Sequence, residues 1–373
     1  MGPVEIAARL IRFDTINPPG RERPCLEWIA GLLEPAGFTL AWQELGPERA
    51  NLVASLPATG AAARAPLVLS GHVDTVPLGA ARWSVPTQEG LIEGGRLHGR
   101  GASDMKSGVA AIVAAAIEAA SWRDRRVELR LVLSAGEETG CEGALALAAE
   151  PSLLGTAGAL VVAEPTDNRP LLGHKGALWL RLEHHGVTAH GSSPELGDNA
   201  IFRACASVAR LREIDFAGVE HPVMGRPSLN VGTMQAGMNV NSVPDRAALG
   251  VDIRTVTGQT NAGARALVAE VVGPEVEIET LTDMAPVYTE PDDSWMAETR
   301  ALAAEVTGVS AGAETARFFT DASVLKSAFG NPPTLIMGPG PASLAHQTDE
   351  WCDTGAIEAC TRAFAAIAGR YLA

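Results

Sequence analysis

Residues 67–77 read LVLSGHVDTVP: an apolar run closes on a glycine and then presents His72 and, two positions on, Asp74. An uninterrupted apolar run bounded by turn residues is the mark of a strand buried on both faces. In an open α/β sheet, ligands gather beyond the carboxyl ends of such strands. Farther along, GRGASDMKSG (99–108) sets Asp104 in a glycine-bounded loop just ahead of an Ala-rich segment, 106–120, that favours a helix. One imidazole and two carboxylates, each where apolar sequence gives way to a loop, point to a metal site.

Working outward, residues 3–13 and 24–36 have helical apolar spacing and are separated by NPPG at 17–20. NLVASL (51–56) predicts a strand, and the Ala-rich stretch 58–65 a surface loop. RVELRLVLSA (126–135) predicts another strand, followed by the loop GEETGCEGA (136–144) and a helix to about Glu150. GALVVAEP (158–165) is a short buried strand ending at Glu164. Strand, helix, strand, helix, strand implies parallel crossovers.

At about residue 175 the texture changes. LWLRLEHHG (178–186) alternates apolar and polar residues, as a strand with one solvated face does. A helix (197–212), strands (228–235 and 246–254), a helix (259–271) and a strand (275–281) complete a βαββαβ order, the ferredoxin-like unit. The expected fold is therefore α/β, a mostly parallel sheet with helices on both faces, plus an inserted α+β ferredoxin-like domain. Residues 1–175 and 285–373 would form the metal-binding domain and 176–284 the insertion. A helix near 293–307, the turn FFTDAS (318–323), the strand TLIM (334–337) and a helix over 354–370 resume the α/β pattern, and no internal repeat is visible.

With 373 residues the chain exceeds the usual single-domain size, in line with two domains. Its formal net charge of −15, with lysine only at Lys106, Lys175 and Lys326, argues against nucleic acid as a partner, because no basic patch is available to release counterions. Five cysteines (Cys25, Cys141, Cys205, Cys352, Cys360) are odd in number and form no C-x-x-C pair, which fits reduced thiols in a cytoplasm. Glu5 and Arg9 interrupt the N-terminal apolar pattern, so no signal peptide is expected. The run Val109 to Ala120, broken by Glu118, is too short to span a bilayer, and no membrane association is expected.

Five side chains fall at strand ends or in the loops after them: His72, Asp104, Glu138, Glu164 and His346. All offer nitrogen or oxygen and none is a thiolate. A single catalytic zinc usually takes three protein ligands and keeps a position open. Five donors suit two metals about 3.5 to 4 Å apart that share a carboxylate. Zn is the expected ion, with Co or Mn as substitutes. Taken singly, an Asp before an Ala-rich helix could be only an N-cap, and paired glutamates only a solvated face; the case rests on joint occurrence.

GHVDTVP, GRGASDMKSG, GEETGCEGA, AEPT, GVTAHGSSPELGDNAI, NSVPDRAALGVDIR and AHQTDEW resemble, in order and spacing, the motifs of the acetylornithine deacetylase, succinyl-diaminopimelate desuccinylase, aminoacylase and glutamate carboxypeptidase family of dinuclear zinc metallohydrolases. The resemblance implies that His72 and Glu164 hold one metal, Glu138 and His346 the other, and that Asp104 bridges them. It implies that Asp74 orients the His72 imidazole, that the Asp104–Met105 peptide is cis and that Glu137 is the general base. It further implies that His190 reaches across a homodimer to the oxyanion, that the insertion is the dimerisation domain, and that Asn241 and Arg254 bind the substrate. The implied reaction is hydrolysis of the amide of an N-acyl amino acid, or alternatively of a dipeptide or C-terminal peptide bond by a carboxypeptidase or dipeptidase. An aminopeptidase fits less well, because family aminopeptidases tend to carry Asp where this chain has Glu164. His98, His174, His184, His185 and His221 keep structural readings.

The chain departs from the family at three places. Gly136 stands where an acidic residue often precedes the glutamate pair. Phe318 and Phe319 precede Thr320 and Asp321 where relatives often carry glycines, and Pro341 takes an often acidic position. A more apolar pocket wall is expected, which leaves ornithine and diaminopimelate specificity open.

Overall fold

The computed structural model describes residues 1–60, 62, 64–216 and 218–373. The stretch 58–65, expected as a surface loop, thus lies partly outside the described residues. The chain divides into two compact units: residues 1–173, 288–316 and 320–373 in the first, and 174–287 with 317–319 in the second.

The first unit is built on a six-stranded sheet in the spatial order 39–46, 49–56, 129–134, 67–72, 159–162 and 334–336. The last four strands run parallel, and the strand Leu67–His72 at their centre is buried along its whole length. The sheet is not parallel throughout, however. The strand Arg49–Leu56 pairs antiparallel with both Thr39–Gly46 and Leu129–Ser134. The Thr39–Gly46 strand lies at the sheet edge and is at most half-buried, so its sequence TLAWQELG lacks the alternation that would announce it. A tight turn with Glu48 in the left-handed region closes this hairpin.

The helix Lys106–Ala120 packs against Pro3–Ile11 and Thr354–Leu372, and the last of these also against Ser294–Thr307. Its first turn makes the closest approach: a Cβ on Gly108 would stand 2.0 Å from the Ala163 carbonyl oxygen, beside Glu164. A smaller sheet not foreseen from the sequence joins Leu91–Glu93, Arg96–His98 and Trp351–Asp353, with Trp351 opposite His98 and Cys352 opposite Leu97. Its strands have three residues each, too short to show a period. It brings the segment after His346 alongside the segment before Asp104. The peptides Asn17–Pro18, Pro18–Pro19 and Asp104–Met105 are cis.

The second unit is a four-stranded antiparallel sheet in the order 228–236, 246–254, 177–185 and 277–284, in the chain order βαββαβ. The helices Ala200–Arg212 and Asn261–Val272 cover one face. Leu178, Leu180, Leu182, Val251, Ile253 and Val268 meet Ala204 and Leu211 there, while Trp179 and Arg181 alternate outward. Among the described residues no helix is long and apolar enough to cross a membrane.

Candidate metal centre

The strand Leu67–His72 delivers a fully buried imidazole to the end of the sheet. His72 Nε2 lies 3.3 Å from Asp104 Oδ1 and 3.9 Å from Glu164 Oε1. From the other side, His346 Nε2 lies 3.4 Å from Asp104 Oδ2 and 3.0 Å from Glu138 Oε2. The donors therefore form two groups, His72, Asp104 and Glu164 in one and Asp104, Glu138 and His346 in the other, each with its atoms within 4.8 Å of one another. Asp104 belongs to both, turning one oxygen to each. His346 reaches its place from a residue with φ +63°.

These groups fit a pair of divalent cations. Glu138 Oε1 and Glu164 Oε1 are buried and find no hydrogen-bond partner among the described residues, and unpaired buried carboxylates are costly unless a cation meets them. The set has two imidazoles, three carboxylates and no thiolate, which suits hard or borderline ions. The crowded donors also perturb one another. Burial raises the Asp104 carboxyl, but hydrogen bonds from His346 and His72 outweigh it and hold the group well below the usual carboxylate range. The Asp104 and Glu138 carboxylates push the His346 imidazole up to about 10. Burial leaves Glu164 well above the ordinary value despite the neighbouring His72.

Asp74, fully buried, touches more than the imidazole. His72 Nδ1 lies 3.1 Å from the Asp74 carbonyl and 3.4 Å from its carboxylate. The same carboxylate accepts from the backbone N–H of Glu137 at 3.1 Å and of Glu138 at 3.2 Å, and from Asn17 Nδ2 at 3.1 Å. Asn17 also donates to Thr139 Oγ1 at 2.9 Å. The NPPG turn is therefore part of the site's scaffold, which its sequence shows only as a helix breaker.

Glu137 is 7% exposed. Burial raises its carboxyl well above the ordinary value, and the carboxylates of Glu164, Glu138 and Asp321 add to that against the pull of His72. A carboxyl tuned upward in this way can take and return a proton near neutral pH. Asp321, in the turn FFTDAS, is buried and accepts a hydrogen bond from Ser134 Oγ.

His190, Asn241 and Arg254 lie in the second unit, outside both donor groups. His190 and Ser242 form an isolated bridge, and Gly191 N–H donates to the Asn241 carbonyl at 2.7 Å, so His190 and Asn241 are neighbours. The backbone N–H of Ser192 donates to His190 Nδ1 at 3.2 Å. An accepting Nδ1 puts the proton of the neutral ring on Nε2. Arg254 ends its strand with Asp252 on the Nε and Nη2 edge of the guanidinium, 3.0 Å at the closest. Trp179 Nε1 donates to the same Asp252 at 3.0 Å, and Phe319 packs edge-on against Trp179 with centroids 6.0 Å apart. Phe319 is thus linked to Arg254 through Trp179 and Asp252.

The model of peptidase family M20/M25/M40 matches residues 68–370. An acetylornithine deacetylase of Proteus mirabilis is 30% identical over 345 residues, 88% of this chain and 85% of its own length. A "Probable carboxypeptidase" of Aspergillus clavatus is 30% identical over 366 residues, 94% of this chain and 78% of its own. Among solved structures, an M20 family metallo-carboxypeptidase of Sulfolobus solfataricus superposes with a TM-score of 0.81 over 99% of both chains at 18% identity, a likeness of fold. The chain is a hydrolytic enzyme that belongs to peptidase family M20/M25/M40.

Proposed function

We propose that this chain is a dinuclear metal-dependent amidohydrolase that cleaves the amide bond of an N-acyl amino acid. The observation that carries the reading is the placement of Asp104, with one oxygen 3.3 Å from His72 and the other 3.4 Å from His346. His72 and Glu164 would hold one ion, Glu138 and His346 the other, and Asp104 both; Zn fits the donors, as would Co or Mn. When bound, such ions supply Lewis-acid polarisation of the scissile carbonyl and make water a nucleophile near neutral pH.

The protein's own groups do the rest. Asp74 holds the His72 ring and, through the amides of Glu137 and Glu138, the loop that carries the base. Glu137 takes the proton of the attacking water and returns it to the leaving amine. His190, with its proton on Nε2, would donate to the developing oxyanion, and it would do so from the partner subunit of a homodimer. Support for a dimer comes from the second unit: its edge strand Ser228–Ala236 is largely exposed, and Phe202, Leu196, Met238 and Val240 are 73%, 74%, 95% and 103% exposed. An open strand edge beside exposed apolar side chains invites pairing with a second copy. Residues 176–284 would then be the dimerisation domain. Asn241 and Arg254 would bind the substrate, the guanidinium taking its carboxylate.

Arg254 serves a C-terminal carboxylate equally well, so a carboxypeptidase or dipeptidase is the second reading. The Aspergillus relative favours it. A panel of N-acetyl, N-succinyl, N-formyl and N-carbamoyl amino acids and of dipeptides, assayed with Zn, Co or Mn and with chelator, separates the two. Turnover of dipeptides alone would overturn the deacylase reading, and turnover that survives chelation would overturn both.

A further inference from the structure

A buried ion pair ties together the loops that carry the donors. Glu350 is completely buried, four residues beyond His346, and its partner Arg100, 3% exposed, lies four residues before Asp104. Glu350 Oε2 accepts from Arg100 Nη1 at 2.6 Å and from the Gly101 N–H at 3.1 Å. Its Oε1 accepts from the N–H of Ser103 at 2.7 Å and of Asp104 itself at 3.0 Å. Arg100 also donates to the carbonyl of Gln347 at 3.2 Å and to that of Pro77 at 3.1 Å. The pair therefore touches the segment after His72, the loop of Asp104 and the segment after His346.

A buried ion pair is weak evidence for stability, because desolvation offsets the attraction. A carboxylate that spends three of its four contacts on consecutive or near-consecutive amides of one loop instead dictates the shape of that loop. Side chains behind the ligands of a metal site commonly set ligand orientation in this way. We propose that Arg100 and Glu350 are a positioning pair that fixes the Asp104 carboxylate between the two donor groups, so that both ions bind less tightly when the pair is broken. The proposal rests on Asp104 being the shared ligand.

The test is calorimetric titration of chelator-stripped protein with Zn, which reads metal affinity independently of turnover. Glu350→Gln is expected to weaken both ions by about 10- to 100-fold. Arg100→Lys keeps a charge but has no fork to span Gln347 and Pro77, and is expected to weaken both by a smaller factor; it carries the test if Glu350→Gln does not fold. Leu33→Ala, fully buried in the first unit and outside the small sheet that joins these segments, serves as a control chosen for loss of thermal midpoint and should leave both affinities unchanged. The proposal is overturned if the Arg100 and Glu350 variants bind both ions as the wild type does, or lose no more affinity than Leu33→Ala. Asp104→Asn separates the layers. If it weakens both ions while Glu350→Gln does not, only the positioning role falls; if it too binds both ions normally, the shared-ligand reading falls first.

Discussion

Asp74 joins His72 to the loop that carries Glu137, the proposed base. Its carboxylate receives two backbone amides and the Asn17 side chain, so Asp74→Asn would set an NH2 group against donors. We expect a loss of about 1 to 3 kcal/mol in denaturant unfolding, the cost of leaving buried donors unmatched, together with lower turnover. Glu137 poses a cleaner question, because it belongs to neither donor group. Glu137→Ala should lower kcat by roughly 10²- to 10⁴-fold, while metal analysis still finds two ions per subunit. Loss of both ions would show that the base has been assigned wrongly.

At the scale of elements, the helix Lys106–Ala120 is pressed against the end of the strand Ala159–Val162 through Gly108. Backbone on the far side of a 2.0 Å contact cannot yield as a side chain tip would. Gly108→Ala should therefore destabilise the first unit by about 1 to 3 kcal/mol, read by thermal or urea unfolding, although alanine favours helices. In the two-residue strand Gly173–His174, burial lowers the His174 imidazole from 6.5 to about 4, against one hydrogen bond to the Lys175 carbonyl at 2.9 Å. The unfolded chain then binds more protons than the folded one between these values. The stability held by the neutral ring is whole above about pH 6.5 and is lost as pH falls toward 4, on the order of 3 kcal/mol in all. His174→Gln should flatten that part of the pH dependence; an unchanged difference between urea midpoints at pH 7 and pH 5 would refute the assignment.

For the whole molecule, the proposed role of His190 requires the proposed dimer. Val240→Asp and Met238→Glu, both at exposed positions, should shift sedimentation toward the monomer and lower activity without lowering the unfolding midpoint. His190→Ala and Glu137→Ala should each be nearly inactive, and mixing them after dissociation should restore activity, because one site of a mixed dimer keeps both groups. A mixture as inactive as its parts would remove the cross-subunit role.

Uninterrupted apolar runs determined the buried strands around Leu67–His72, Ala-rich composition the helix after Asp104, and periodicity with turn chemistry the βαββαβ order, because each of these signals is local. The five donors were legible as residue types at loop positions, and the resemblance of motifs implied their roles. Tertiary structure decided what depends on contacts distant in sequence. The Thr39–Gly46 edge strand owes its pairing to a neighbour rather than to its own pattern, and the three-residue strand at 351–353 is paired through 96–98, far away in the chain. Asn17, Arg100 and Glu350 act through hydrogen bonds to segments far along the chain, and no local pattern encodes such a partner. Sequence thus determined which groups could hold metal, and the fold decided that Asp104 turns one oxygen to each of two histidines.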